Sequence, residues 1–188
     1  MTTRSAVKLT YEDYAALPAD GKRYEIIDGE LYVNPSPVLR HQLIQTELIR
    51  ILASYVKVHR NGILLSAPTD VLLGPGVVVQ PDILFIQQSR LAAIVTDKNI
   101  QGPPDLVIEV LSEGNRRYDE FIKRRVYDNA GVGEYWIVDH EIDMIKIDRR
   151  GETGFVRGAE LSADKNGILE SPLFPTLPIN LRELFATP

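Results

Sequence analysis

The sequence predicts an α/β fold of the α+β kind, a central mixed sheet flanked by helices and entered through an N-terminal hairpin. Three observations predict it. Over residues 38–58 the apolar residues Leu43, Ile44, Leu48, Ile51, Leu52, Tyr55 and Val56 recur at helical spacing, which marks a long amphipathic helix. Within residues 104–112 the run Leu106-Val107-Ile108-Glu109-Val110-Leu111, preceded by Gly102, Pro103 and Pro104, is short and rich in branched aliphatics, so it reads as a strand buried on both faces. Hairpin signals before this strand coexist with a strand-helix-strand order after it, which makes the sheet mixed rather than purely parallel.

In chain order, Thr10 caps a short helix that Pro18 ends, with Asp13 three residues on, and the helix is expected to serve packing. Asp28-Gly29 supplies the positive backbone dihedrals of a tight turn, so residues 22–27 and 30–33 form a hairpin. Pro35-Ser36-Pro37 breaks it before the long helix. Residues 63–73 and 77–86 read as two strands joined by Gly74-Pro75-Gly76 into an antiparallel pair. One helical turn is expected around residues 90–94. After the buried strand, Glu113-Gly114-Asn115 makes a turn and residues 116–130 a helix, buried along Tyr118, Phe121, Ile122 and Val126 and stopped by Gly131. Strands follow at residues 134–138 and 142–147, with Tyr135 and Trp136 as core, then a weaker strand at 154–157 and a last turn of helix at 181–185.

A chain of 188 residues suits a single domain, with a core at about residues 20–150 and a C-terminal extension over 151–188. The absence of cysteine excludes disulfides and thiolate metal sites. Twenty-one Lys and Arg against 26 Asp and Glu give a net charge of -5, which argues against binding nucleic acid by bulk charge. The densest cationic strip is Arg116, Arg117, Lys123, Arg124 and Arg125. Asp119, Glu120 and Asp128 interleave it, so it also reads as a solvated helix face. No apolar run approaches a membrane span and residues 1–9 lack a signal-peptide core, so a cytoplasmic protein is expected.

The chemistry turns on polar residues set in apolar surroundings. A carboxylate at Glu109 must be paired, hydrogen-bonded or metal-bound, because a lone charge there costs several kcal/mol. Asp82, in Val79-Gln80-Pro81-Asp82-Ile83-Leu84-Phe85, also reads as standing in an apolar strand. Two carboxylates on neighbouring strands can hold Mg²⁺, which takes one or two carboxylates and fills its shell with water. Asp105 falls roughly 13 Å from Glu109 along an extended strand, too far to share an ion. Asp119, Lys123 and Tyr127 share a helix face at four-residue spacing. Lys123 reads either as an ordinary helix ion pair with Asp119 or as an amine that orients a metal-bound water and offsets phosphoryl charge. Glu25 reads as a further site acid or as a strand carboxylate paired with Lys22 or Arg23. His41 reads as facing the site or as simply packed, and His59 and His140 have no partner at metal spacing. A glycosidase pair of Asp82 and Glu109 is the other chemistry two carboxylates allow, and 7% aromatic residues leave it without a sugar platform.

Pro81-Asp82, Glu109-Val110-Leu111 in a buried strand, and Lys123 on the next helix together resemble the PD-(D/E)XK nuclease superfamily. More closely, the segments Tyr24-Glu25-Ile26-Ile27-Asp28-Gly29-Glu30-Leu31, Pro35-Ser36-Pro37 with His41, Gln80-Pro81-Asp82, residues 104–112, and Gly133-Glu134-Tyr135-Trp136-Ile137-Val138-Asp139 resemble the Uma-type restriction endonuclease family. The resemblance spans roughly residues 10–150. It implies a restriction-endonuclease-like core, Asp82 and Glu109 as Mg²⁺ ligands with the Val110 carbonyl beside them, Mn²⁺ as a substitute ion, hydrolysis of DNA phosphodiester bonds, and a homodimer. The superfamily's lysine falls two residues after the glutamate, where this chain has Leu111. A lysine moved to the following helix is a variation on that pattern, and Lys123 is the residue that could fill the role. A nuclease-fold module that binds DNA or protein without cutting is the alternative.

Overall fold

The computed structural model describes residues 8–112 and 118–186. The turn expected at residues 113–115, together with Arg116 and Arg117, lies outside the described residues. In chain order the elements are α1 Tyr11–Ala15, β1 Arg23–Ile27, β2 Glu30–Asn34, α2 Leu39–His59, β3 Gly62–Ser66, β4 Val71–Gly74, β5 Val77–Val79, β6 Ile83–Gln87, α3 Leu91–Ile94, β7 Ile100–Gln101, β8 Leu106–Val110, α4 Arg124–Ala130, β9 Glu134–Asp139, β10 Met144–Arg150, β11 Phe155–Ser162, β12 Ile168–Leu169, β13 Ile179–Asn180 and α5 Leu181–Phe185. A π-helical turn, Tyr118–Lys123, leads directly into α4. Among the described residues the strands form a six-stranded sheet in the order β11-β10-β9-β8-β6-β3, a five-stranded sheet in the order β2-β1-β5-β4-β7, and the small pair β12-β13.

The turn chemistry behaves as the sequence predicts at the first hairpin, where Asp28 and Gly29 both take positive φ, 53° and 82°. Thr10 and Asp13 exchange bonds as a capping box at the start of α1. That helix lies against β1 and β5 with Tyr11 and Tyr14 half-buried and no residue fully buried, so the packing expected of it is shallow. It is also tied down by the Tyr14 hydroxyl, which donates to Asp70 at 2.7 Å.

The long hairpin expected over residues 63–86 is cut in two. Its distal part, β3 with β6, belongs to the six-stranded sheet, while its tip, β4 with β5, belongs to the five-stranded one. Pro68 and Pro81 stand at the two crossings, and a residue without an N–H cannot extend a central ladder. Asp82 therefore sits at the bend just before β6, not inside a strand as its apolar neighbours suggested.

The buried strand β8 is covered on both faces, as its composition predicts. Leu106, Ile108 and Val110 face Ile44, Leu48 and Leu52 of α2 in one core. Val107 and Leu111 face a second core shared with Ile27, Val71 and Val79 of the five-stranded sheet. Residues beyond 150 belong to the same construction: β11 extends the large sheet, and Phe174, Leu181 and Leu184 enter the first core. The helix expected over residues 116–130 departs from its predicted stripe. Phe121 is 66% exposed, because the wider π-helical turn puts it outside the 3.6-residue period.

Candidate active site

β6 and β8 run antiparallel, with Ile83 opposite Ile108 and Leu84 opposite Val107. One further step in that register sets Asp82 across from Glu109, and residues opposite each other on an antiparallel pair share a face. The two carboxylates that the sequence singled out therefore come together, each almost fully buried.

The carboxylates at this place accept from cationic side chains, from backbone N–H groups, from a side-chain amide and from a buried hydroxyl. Asp82 Oδ1 accepts from Arg23 Nη1 at 3.2 Å. Asp82 Oδ2 lies 3.1 Å from His41 Nε2 and accepts from the Val110 backbone N–H at 3.0 Å. Lys123 Nζ donates to Glu109 Oε1 at 3.0 Å, and the Tyr127 hydroxyl donates to the same oxygen at 2.6 Å. On the far side, Lys123 Nζ is 3.2 Å from Glu25 Oε1, which also accepts from the Gln80 N–H at 2.8 Å, while Asn34 holds Glu25 Oε2 at 2.9 Å. Gln45, one turn after His41 on α2, donates to the Asp82 carbonyl at 2.9 Å.

The electrostatics follow from this packing. Burial pushes the Asp82 carboxyl up, but the His41 hydrogen bond and the charges of His41, Arg23 and Lys123 outweigh it and hold the group below its ordinary range. Burial, then the negative charges of Glu109 and Glu25, drive the Tyr127 hydroxyl well above its usual value, so it is a neutral donor. Tyr118 is pushed up by burial and by Glu25. Asp82, Glu109, Val110, His41, Lys123 and Arg23 line one cleft of about 30 Å³, the room of a single water or ion.

That donor set suits a hard cation: two carboxylates in one water-sized cleft are what Mg²⁺ asks of a protein, with water completing its shell. No group of three or more His, Cys, Asp or Glu side chains among the described residues is arranged to hold a metal, so an ion here would lean on water and backbone oxygen.

Over residues 11–182 the chain matches the family Uma2, described as "Putative restriction endonuclease". The chain belongs to the Uma2 family. A solved structure of a DUF820 protein from Anabaena variabilis ATCC 29413, titled a "putative nuclease", superposes with a TM-score of 0.79 at 20% identity, covering 95% of this chain and 98% of that one. The likeness is one of fold. No curated protein matches. Among the described residues no helix is long and apolar enough to cross a membrane.

Within this Uma2 chain, Asp82, Glu109, Val110, Lys123, Glu25, His41 and Tyr127 all meet at the cleft or in its first ring of contacts. The side chain of Asp119 lies outside the described residues. Lys123 reaches Glu109 and Glu25 rather than forming only a surface helix pair. Neither partner proposed for Glu25 from its neighbours serves it: Lys22 pairs with Asp20 and Arg23 with Asp82. Asp105 is set apart, accepting from the Gln87 N–H and pairing with Arg90. His59 stacks on Tyr55, and His140 is buried with its ring 6.3 Å from that of His41.

Sequence reasoning missed Arg23, Asn34, Gln45 and Gln80. For Gln45 a signal existed: His41, Gln45, Leu48 and Leu52 lie on one helical stripe, so the buried face of α2 continues into polar residues over its first two turns.

Proposed function

We propose that this Uma2 protein hydrolyses phosphodiester bonds of DNA with Mg²⁺, which Mn²⁺ can replace. The observation that carries the reading is a buried ammonium, Lys123, 3.0 Å from Glu109 in the cleft that Asp82 also lines. Asp82 and Glu109, with the Val110 carbonyl, are the groups that would hold the ion. Bound there, the ion supplies Lewis-acid chemistry, a more acidic water and a polarised phosphoryl oxygen. The chain supplies orientation and charge. Lys123 offsets the charge that develops on the phosphate oxygens. Glu25 and Glu109 fix its ammonium from two sides. Tyr127 orients the Glu109 carboxylate, and His41 with the Val110 N–H orients Asp82.

One cleft serves one strand, and the two strands of a duplex run in opposite directions, so a two-fold homodimer suits double-strand cleavage. A DNA substrate and a chain without cysteine suit the cytoplasm.

A second reading, a nuclease-fold module that binds DNA or protein without cutting, is favoured by one observation: both Asp82 oxygens already have cationic or N–H partners. Purified protein incubated with plasmid and with single-stranded DNA in Mg²⁺, Mn²⁺ or Ca²⁺, beside Glu109→Ala, decides between them. Cleavage in Mg²⁺ that Glu109→Ala loses supports the nuclease. No cleavage, with no saturable Mg²⁺ site by calorimetry, supports the module.

A further inference from the structure

We infer that Arg23 and a divalent cation compete for Asp82, and that the displaced Arg23 guanidinium binds the substrate phosphate. The inference rests on the nuclease reading above and names the side chain that couples ion to substrate at that site.

Arg23 begins β1 and stands at the mouth of the cleft, its side chain 26% exposed where that of Asp82 is 4%. Its hold is partial. Nη1 reaches Asp82 at 3.2 Å and Nη2 reaches the Gln80 carbonyl at 3.1 Å. Both distances exceed the roughly 2.7–2.9 Å of a tight charge-assisted bond. Nε is buried with no hydrogen-bond partner. A guanidinium carries five N–H donors in a planar fork that matches the paired oxygens of a phosphate, so Arg23 holds donors its present contacts do not use.

The place where Arg23 stands also points outward. A second, open groove of about 400 Å³ adjoins the cleft, and Arg23, Asn34, Pro35 and Pro37 line both. The inner cleft admits a water or an ion but not a nucleotide, whereas the outer groove has room for a nucleotide-sized group. A strand entering by that groove brings its phosphate to Arg23 before it meets Glu109 or Lys123. A divalent ion at Asp82 repels the guanidinium from the same carboxylate. The side nearest to hand is the groove, where the phosphate is negative.

The test uses the full chain and the variants Arg23→Gln and Arg23→Lys. Mn²⁺ affinity is read by calorimetry, and affinity for a short fluorescein-labelled DNA oligonucleotide is read by anisotropy in Ca²⁺. For Arg23→Gln, the expected result is Mn²⁺ binding about threefold to tenfold tighter and oligonucleotide binding about tenfold weaker. Arg23→Lys keeps the charge but loses the fork, so Mn²⁺ affinity stays near the parent's while the oligonucleotide still binds more weakly. A merely structural arginine would move both affinities down together in either variant, and that result overturns the exchange, as does an unchanged oligonucleotide affinity. If Arg23→Gln does not fold, Arg23→Lys decides by the same two readouts. A parent protein that binds neither Mn²⁺ nor DNA overturns the nuclease reading and the exchange together; a parent that binds both, with Arg23 variants that weaken both, overturns the exchange alone.

Discussion

Lys123 lies 3.0 Å from Glu109 of the six-stranded sheet and 3.2 Å from Glu25 of the five-stranded sheet, so one ammonium ties the two sheets together. All three side chains are at most 3% exposed. The proposed catalytic amine is thus also a structural cation, and its removal has to be read on two scales at once.

Lys123→Ala leaves two buried carboxylates without the cation they share, which is expected to cost about 3–5 kcal/mol of stability by urea unfolding. Adding Glu109→Gln to that variant removes one of the stranded charges and returns part of the loss. The pair is then non-additive in a double-mutant cycle, and strict additivity would show that the two side chains do not interact.

Glu109→Gln alone separates chemistry from stability. Lys123 keeps Glu25 as a partner, so the fold persists by circular dichroism while cleavage falls by about 10²-fold or more in a plasmid-nicking assay. Tyr127→Phe removes the 2.6 Å donor from the same carboxylate, whose Oε1 keeps Lys123 at 3.0 Å, and costs about 1.5–3 kcal/mol of stability, the net worth of a hydrogen bond to a charged group.

Asp82 sets an acid limb on stability. Its folded carboxyl titrates below the ordinary value of 3.8, so the unfolded chain takes up this proton first as pH falls. The stabilisation is present above about pH 4 and is lost as pH drops through the lower folded value. Asp82→Asn is expected to flatten the fall in urea-unfolding free energy below pH 4. An acid limb as steep as the parent's would assign it to other carboxylates.

What could be read in advance was whatever depends on neighbours in sequence. The stripe of α2, the double burial of β8, the Asp28-Gly29 turn and the misplaced charges of Asp82 and Glu109 are all local patterns. The hairpin over residues 63–86 was legible only in outline, because apolar β-branched residues run through both sheets and only Pro68 and Pro81 mark the crossing. Arg23, Asn34 and Gln80 were not legible at all as site residues. They are polar residues at strand ends, ordinary in sequence, and they reach the site because β1 pairs with β5 at Ile26 and Val78, a contact set by tertiary packing.

The turn before α4 yields the sharpest contrast between pattern and structure. A regular helix over residues 116–130 would bury Phe121 beside Tyr118 and Ile122, and truncating a core phenylalanine costs about 3–5 kcal/mol. The π-helical turn instead leaves Phe121 66% exposed, while Lys123 and Tyr127 still face Glu109. Lys123 and Tyr127 keep the four-residue spacing that puts both on one helix face, so it is the phenylalanine, not the amine, that the wider turn relocates. Phe121→Ser is therefore expected to change stability by less than about 0.5 kcal/mol by urea unfolding and to leave cleavage at the parent rate. A loss of several kcal/mol would mean that Phe121 is packed inward, and that the turn delivering Lys123 to the carboxylates is not the one described.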